Sequence, residues 1–119
     1  MALPHAKLLD VIDVRPLGDS RHQAVSTSLL KSRRTQLLHL VLPAHHDQPE
    51  HHLDDECTIH CLEGDVEVVM PGGSRRLVAG QLVVLPALQR HLLRARQRSA
   101  VLVTLRLRES EGDGTAGAP

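Results

Sequence analysis

Short apolar runs, each ended within a few residues by glycine or proline, constrain the fold of this chain more than any other feature. Helical periodicity is weak throughout, so the apolar residues do not mark one face of long helices. Short apolar runs with a turn signal about every 8–12 residues are typical of an antiparallel β-sandwich or barrel. We therefore predict an all-β protein.

The strands are predicted from these runs and from the turns between them. The alternation of Val66 and Val68 with Glu67 is typical of a strand with one buried face. The polar stretch from Ala44 to Glu56 is assigned no strand, and its histidines are expected in a loop at the barrel mouth. Strands are expected at 36–42, 57–62, 65–70, 75–79, 81–85, 91–98 and 100–108.

The length of 119 residues suits one domain with one core. Residues 1–33 have mixed polarity and are expected to form an N-terminal arm or an extra strand. Residues 34–109 would form the barrel. The tail at 110–119 has no large apolar residue and is expected to be disordered.

The composition excludes several classes of partner. The chain has no Phe, Tyr or Trp, so it lacks the aromatic rings on which proteins stack unpaired bases. Its formal net charge is zero, so no overall field attracts DNA or an anionic membrane. We therefore expect neither a nucleic-acid partner nor a membrane partner. Any ligand pocket must have an aliphatic wall.

The two cysteines and the start of the chain bear on the cellular compartment. Cys57 and Cys61 are four residues apart, which on one strand separates their Cα atoms by about 13 Å, too far for a disulfide. The first residues lack the basic start and apolar run of a signal peptide. Free thiols without an export signal predict a cytoplasmic protein.

Two segments resemble the two sequence motifs of small single-domain, RmlC-like cupins. The first comprises residues 49–52 and 57–64, and the second comprises residues 80–86 followed by His91. The resemblance covers roughly residues 36–107. It implies a double-stranded β-helix, a jelly-roll barrel, which agrees with the strands predicted from the apolar runs.

The resemblance also implies a set of metal ligands, two His and one Glu from the first motif and one His from the second. His91 matches the second-motif position. His51 and His52 compete for the first-motif positions, because the spacing before the strand varies by one residue. Cys57 stands where the family has its ligand Glu, and Glu56 lies just ahead of it.

These five candidate ligands leave two interpretations open. Imidazole and carboxylate groups around a cavity suit divalent Fe, Mn, Ni or Zn, and a Cys57 thiolate would favour a softer metal. Alternatively the barrel holds no metal, and His51 and His91 contact an organic ligand directly.

Strand alternation predicts which side chains enter the barrel. If His91 points inward, so do the residues at even spacing from it, and the arginines between them form a solvated face. Cys57, Ile59 and Cys61 would share one face of their strand, with Thr58 and His60 on the other. The inward set is Leu93, Ala95 and Gln97, and the outward set is Arg94, Arg96 and Arg98.

Two functions follow. One is a cupin whose metal site binds or converts a small organic molecule, for which the resemblance implies oxygenase or isomerase chemistry. The other is a metal-free barrel that binds or senses a small ligand, so whether the protein is an enzyme stays open. The apolar first strand predicts a homodimer, with the segment before residue 44 contributing, because an apolar sheet edge is commonly covered by a second copy.

Overall fold

A computed structural model describes residues 5–15, 26–51 and 53–108, and for residues 49–51 it gives the backbone alone. Every pair of neighbouring strands in this part is antiparallel. The described strands are β1 (Thr27–Lys31), β2 (Thr35–Leu42), β3 (Asp47–His51), β4 (Cys57–Glu63), β5 (Asp65–Met70), β6 (Gly73–Val78), β7 (Leu82–Leu85), β8 (His91–Ala95) and β9 (Ser99–Arg106).

The all-β prediction is confirmed, and seven strands lie where the apolar runs place them. Among the described residues, no helix is long and apolar enough to cross a membrane. The division into 1–33, 34–109 and 110–119 stays a prediction. β1 lies within the first of these segments, and the tail falls outside the described residues.

One prediction about the strands is wrong. The polar stretch from Ala44 to Glu56 contains β3, which pairs with β8. The pairing is held partly by a long-range contact that local sequence does not reveal, because Arg94 donates two hydrogen bonds to Asp47 at 2.8 and 3.0 Å. A second difference is smaller: β8 ends at Ala95, and Gln97 is exposed beyond it instead of facing inward.

The strands form two sheets with the core between them. The five-stranded sheet has the order β1-β2-β9-β4-β7, and the four-stranded sheet has the order β3-β8-β5-β6. Alternate residues of β4 are buried along the whole strand, as a strand with one face against a core requires. The buried residues of the core are Leu42, Cys57, Ile59, Cys61, Val66, Val68, Leu77, Leu85, Leu93, Ala95, Val101 and Val103.

The outer face of the four-stranded sheet carries a row of paired charges. Asp47, Arg94, Glu67 and Arg76 stand in register across its four strands, with alternating sign. Arg76 also donates two hydrogen bonds to Asp65, at 2.9 and 2.7 Å. These arginines hold the pKa values of Asp47 and Asp65 below their usual range. The outer face of the four-stranded sheet is therefore well solvated.

The chain passes from one sheet to the other at Gly64, which has a φ of +98°. The backbone there lies against Ser99 so closely that a Cβ on residue 64 would overlap it. Ser99 is fixed in place, because its hydroxyl donates to the Gln97 carbonyl at 2.6 Å and accepts from the Asp65 N–H at 3.0 Å. Only glycine fits this corner without rearrangement.

Replacing Gly64 by Ala is expected to lower the free energy of unfolding by about 2–4 kcal/mol, since it combines a strained backbone with an overlap at a fixed neighbour. Gly72→Ala is the matched control, because Gly72 has open space around its Cβ position. The control should shift stability by no more than about 0.5 kcal/mol. Denaturant unfolding compares the two, and equal stabilities would contradict this account of the corner.

Candidate functional site

The starts of β4 and β8 lie at the same end of the barrel. β4 and β5 are joined at the Gly64 corner, and β5 runs antiparallel to β8, with Val66 opposite Ala95. The end of β8 is therefore near the corner, and its start at His91 is far from it. Cys57 starts β4 at that same far end, opposite Leu105 of β9. We call this the His91 end of the barrel.

His91 is buried, with 3% of its surface exposed. Leu93 and Ala95 are buried on the same face of β8, while Arg94 between them is exposed, as strand alternation predicts. The His91 Nδ1 atom lies 3.0 Å from the Gln89 carbonyl oxygen. Because a carbonyl can only accept, Nδ1 is the donor and a neutral ring carries its lone pair on Nε2. Nε2 is then the atom through which this imidazole would bind a metal.

Cys57 faces the core at the same end, between Leu85 and Leu105 in register. Burial raises the pKa of its thiol, so Cys57 is protonated at neutral pH. Cys61 is also buried, and burial raises the pKa of that thiol too. Both cysteines are free, as their predicted separation requires. A protonated thiol is a weak metal ligand until a metal displaces its proton.

Glu56 is exposed and lines a groove of about 340 Å³ at the end of the five-stranded sheet. Cys57 also borders the groove, but Thr58, on the opposite face of β4 from Cys57, forms part of the same wall. The structure therefore places Glu56 at a groove that opens on the outer face of the sheet. The other lining residues are Arg34, Thr35, Val84, Thr104, Leu105, Arg106 and Leu107.

His51 ends β3, and its backbone stands in register opposite His91 of β8. The register is irregular between Gln48 and His51, as at a bulge. His52 lies outside the described residues. Which of His51 and His52 faces the barrel interior stays a prediction. Among the side chains that the structure describes, no three of His, Cys, Asp or Glu lie close enough to hold a metal ion.

His45 and His46 do not lie where the sequence places them. The His45 N–H donates to the Ala95 carbonyl at 2.8 Å, so this turn packs at the opposite end of β8 from His91. The reason is β3, whose five residues span about 16 Å along the barrel and separate the two histidine pairs. His45 and His46 are exposed there.

The wall of the His91 end includes residues that sequence reasoning missed. Leu53, Met70 and Leu105 are half-buried aliphatic side chains packed against the core. The Leu88 N–H donates to the Leu53 carbonyl at 2.7 Å, which ties together the two loops that flank the site. Met70 continues the inward alternation of Val66 and Val68 on β5, whereas Leu53 lies beyond β3 and outside any apolar run.

No protein-family model matches the chain, and no curated protein matches it. Solved structures do. A cupin superfamily protein from Desulfitobacterium hafniense superposes with a TM-score of 0.71 at 18% identity, over 87% of this chain and 100% of that chain. A Streptococcus pyogenes protein of unknown function gives a TM-score of 0.69 at 19% identity, over 92% of this chain and 97% of that chain.

An RmlC-like cupin with a double-stranded β-helix fold from Methanocaldococcus jannaschii gives a TM-score of 0.68 at 16% identity, over 82% of this chain and 93% of that chain. These likenesses show the fold. The chain is a small protein of the cupin fold, and the predicted jelly-roll barrel is confirmed.

The native thiols are expected to react with an aromatic disulfide reagent at neutral pH at least about tenfold more slowly than after unfolding, because both are buried and protonated. Unfolding in guanidinium should release two thiols per chain. The Cys61→Ala variant assigns the remaining rate to Cys57. Immediate labelling of native Cys57 would show that it is accessible and ionised, contrary to this geometry.

Proposed function

We propose that the His91 end of the barrel binds a divalent transition metal and, beside it, a small organic molecule. The observation that carries this proposal is the register of two histidines: His91, buried at the start of β8, stands opposite His51 at the end of β3. Residues directly opposite on antiparallel strands have Cβ atoms about 4.5–5.5 Å apart. Two imidazoles at such positions suit a shared metal ion.

The residues fit a metal in part. The Nδ1–H of His91 is bonded to a backbone carbonyl, and a hydrogen bond of this kind fixes the ring orientation of metal-binding histidines. Cys57 also faces inward at this end. Its thiol would supply a further ligand atom and would lose its proton when the metal binds. Two imidazoles with a thiolate favour Zn or Ni over harder metals. Such a metal would act as a Lewis acid toward an oxygen atom of the guest.

The wall of the site limits the chemistry of the guest. The chain has no aromatic residue, and the side chains around His91 are aliphatic ones such as Leu93 and Met70. A compact guest with an apolar body and one oxygen donor fits this environment. Cupin barrels carry many chemistries, so the fold alone names no reaction.

The second candidate function is a barrel that binds or senses the same class of guest without a metal. Cys57 favours it, because a buried protonated thiol occupies the position that resembles the family's carboxylate ligand. In this case His91 would hydrogen-bond the guest directly.

Elemental analysis distinguishes the two functions. We expect tag-free protein, purified without nickel columns or chelators, to carry about one equivalent of a transition metal. His91→Ala should lose at least about tenfold in metal content, since it removes the buried imidazole. His46→Ala is the control, because it removes an exposed histidine at the opposite end of β8 and should keep the metal.

His91→Gln is a second variant, which shows whether loss of metal is due to loss of the fold. Its thermal unfolding midpoint is compared with that of the parent. Metal absent from a folded parent would overturn the metal site. A thermal-shift screen of the metal-free protein with small carboxylic acids and alcohols then tests the second function. Stabilisation that His91→Gln abolishes would support it, and no stabilisation by any compound would count against it.

A further inference from the structure

The groove of about 340 Å³ on the outer face of the five-stranded sheet has the volume of a small-molecule pocket. Outward-facing residues of three neighbouring strands form its floor: Thr104 lies opposite Thr58, and Thr58 lies opposite Val84. The site proposed at His91 belongs to the interior of the barrel, on the other side of this sheet. The groove is therefore a separate candidate site.

Two residues of opposite charge line the groove, Glu56 and Arg106. Glu56 directly precedes β4, and Arg106 is the last residue of β9, so the register of these two strands makes them neighbours. The structure gives no ion pair between these two residues. The contact that it gives Arg106 is a loose one, with its Nε 4.0 Å from Oδ2 of Asp55. Both charges can therefore bind a further group in the groove.

The remaining lining residues add hydrogen-bonding groups and an apolar wall. Thr58 and Thr104 are half-buried, and among the described residues neither hydroxyl has a hydrogen-bond partner. Arg34 brings a second guanidinium to the groove, and its carbonyl accepts from the Leu107 N–H at 2.7 Å, which fixes this turn beside β9. Leu107 and Val84 supply aliphatic surface, and Val84 is 52% exposed.

We propose that this groove binds a free α-amino acid with an aliphatic side chain. The Arg106 guanidinium would bind the carboxylate through two parallel hydrogen bonds, and the Glu56 carboxylate would accept from the ammonium group. An α-amino acid carries these two charges on one carbon, which matches two neighbouring residues of opposite sign. Its side chain would lie over Thr58 toward Val84. β9 and β7 are two strand spacings, about 10 Å, apart, and the side chains of Arg106 and Val84 shorten this gap.

The same pair of charges selects against ligands that carry only one. A simple carboxylate bound by Arg106 would lie beside Glu56, and a simple amine bound by Glu56 would lie beside two arginines. Each would therefore meet repulsion as well as attraction, which is how a site rejects the wrong ligand. The chain has no aromatic residue on which a ring could stack, so an aliphatic side chain suits the wall.

An NMR titration with three probes of the same aliphatic body tests the class of ligand. The probes are L-leucine, 4-methylpentanoic acid and 3-methylbutylamine, which carry both charges, the carboxylate alone and the ammonium alone. Leucine is expected to bind saturably, with a dissociation constant of about 1 mM or lower. It should bind at least about tenfold more tightly than either of the other probes, since each of them leaves one charged residue of the groove unpaired.

Arg106→Gln and Glu56→Gln locate the ligand. Each should weaken leucine binding at least about tenfold, because each leaves one charge of the ligand unpaired. Glu56→Gln should also tighten the binding of 4-methylpentanoic acid at least about threefold, since a like charge is removed, and loss of structure would not have this effect. The matched controls, Arg75→Gln and Asp54→Asn, remove the same charges from exposed residues outside the groove and should leave leucine binding unchanged.

His91→Gln separates this proposal from the one made for the interior of the barrel, and it should leave leucine binding unchanged. Leucine binding that His91→Gln abolishes would overturn the proposal, because it would place the amino acid at the His91 end. Absence of saturable leucine binding would overturn it too. So would equal binding of the three probes, or equal weakening by the control variants. Absence of metal from the His91 end would leave the expected results unchanged.

Discussion

The close approach of Gly64 to Ser99 sets the geometry on which the rest of the barrel depends. The chain leaves the five-stranded sheet at Glu63 and enters the four-stranded sheet at Asp65, so one residue makes the whole crossing. A side chain at that residue would separate the sheets at this corner. The crossing fixes β5 relative to β4, and pairing with β5 then fixes β8. The positions of Cys57 and His91 at one common end follow from this corner, although both residues lie far from it.

The core between the sheets has no aromatic ring, so it is filled by many small contacts among aliphatic side chains. Such a core requires strict alternation along each strand. The same alternation leaves each sheet a second face, and the two outer faces differ in character. The four-stranded sheet covers its face with ion pairs such as Asp47–Arg94, whereas the five-stranded sheet presents Leu82, Val84 and two histidines. Water solvates the first face well, whereas the second leaves apolar side chains of β7 exposed.

The sequence predicted the strands that an apolar run marks. β2, β5 and β9 are apolar runs between turn residues, and the alternation of β8 correctly placed His91, Leu93 and Ala95 inside. β3 escaped prediction because its residues, Asp47–His51, are polar and are held by pairing with a strand more than forty residues later. The resemblance of residues 80–86 and His91 to the second cupin motif marked His91 as a candidate metal ligand, and its burial agrees with that role. The choice between His51 and His52 depends on a bulge, which shifts the register by one residue and leaves no mark in composition.

The two faces of β4 have different surroundings. Its inward residues Cys57, Ile59 and Cys61 belong to the interior that ends at His91, while Thr58 and His60 lie on the outer face of the sheet. A strand cannot exchange these two sets without slipping by one residue, which would turn every core side chain toward water.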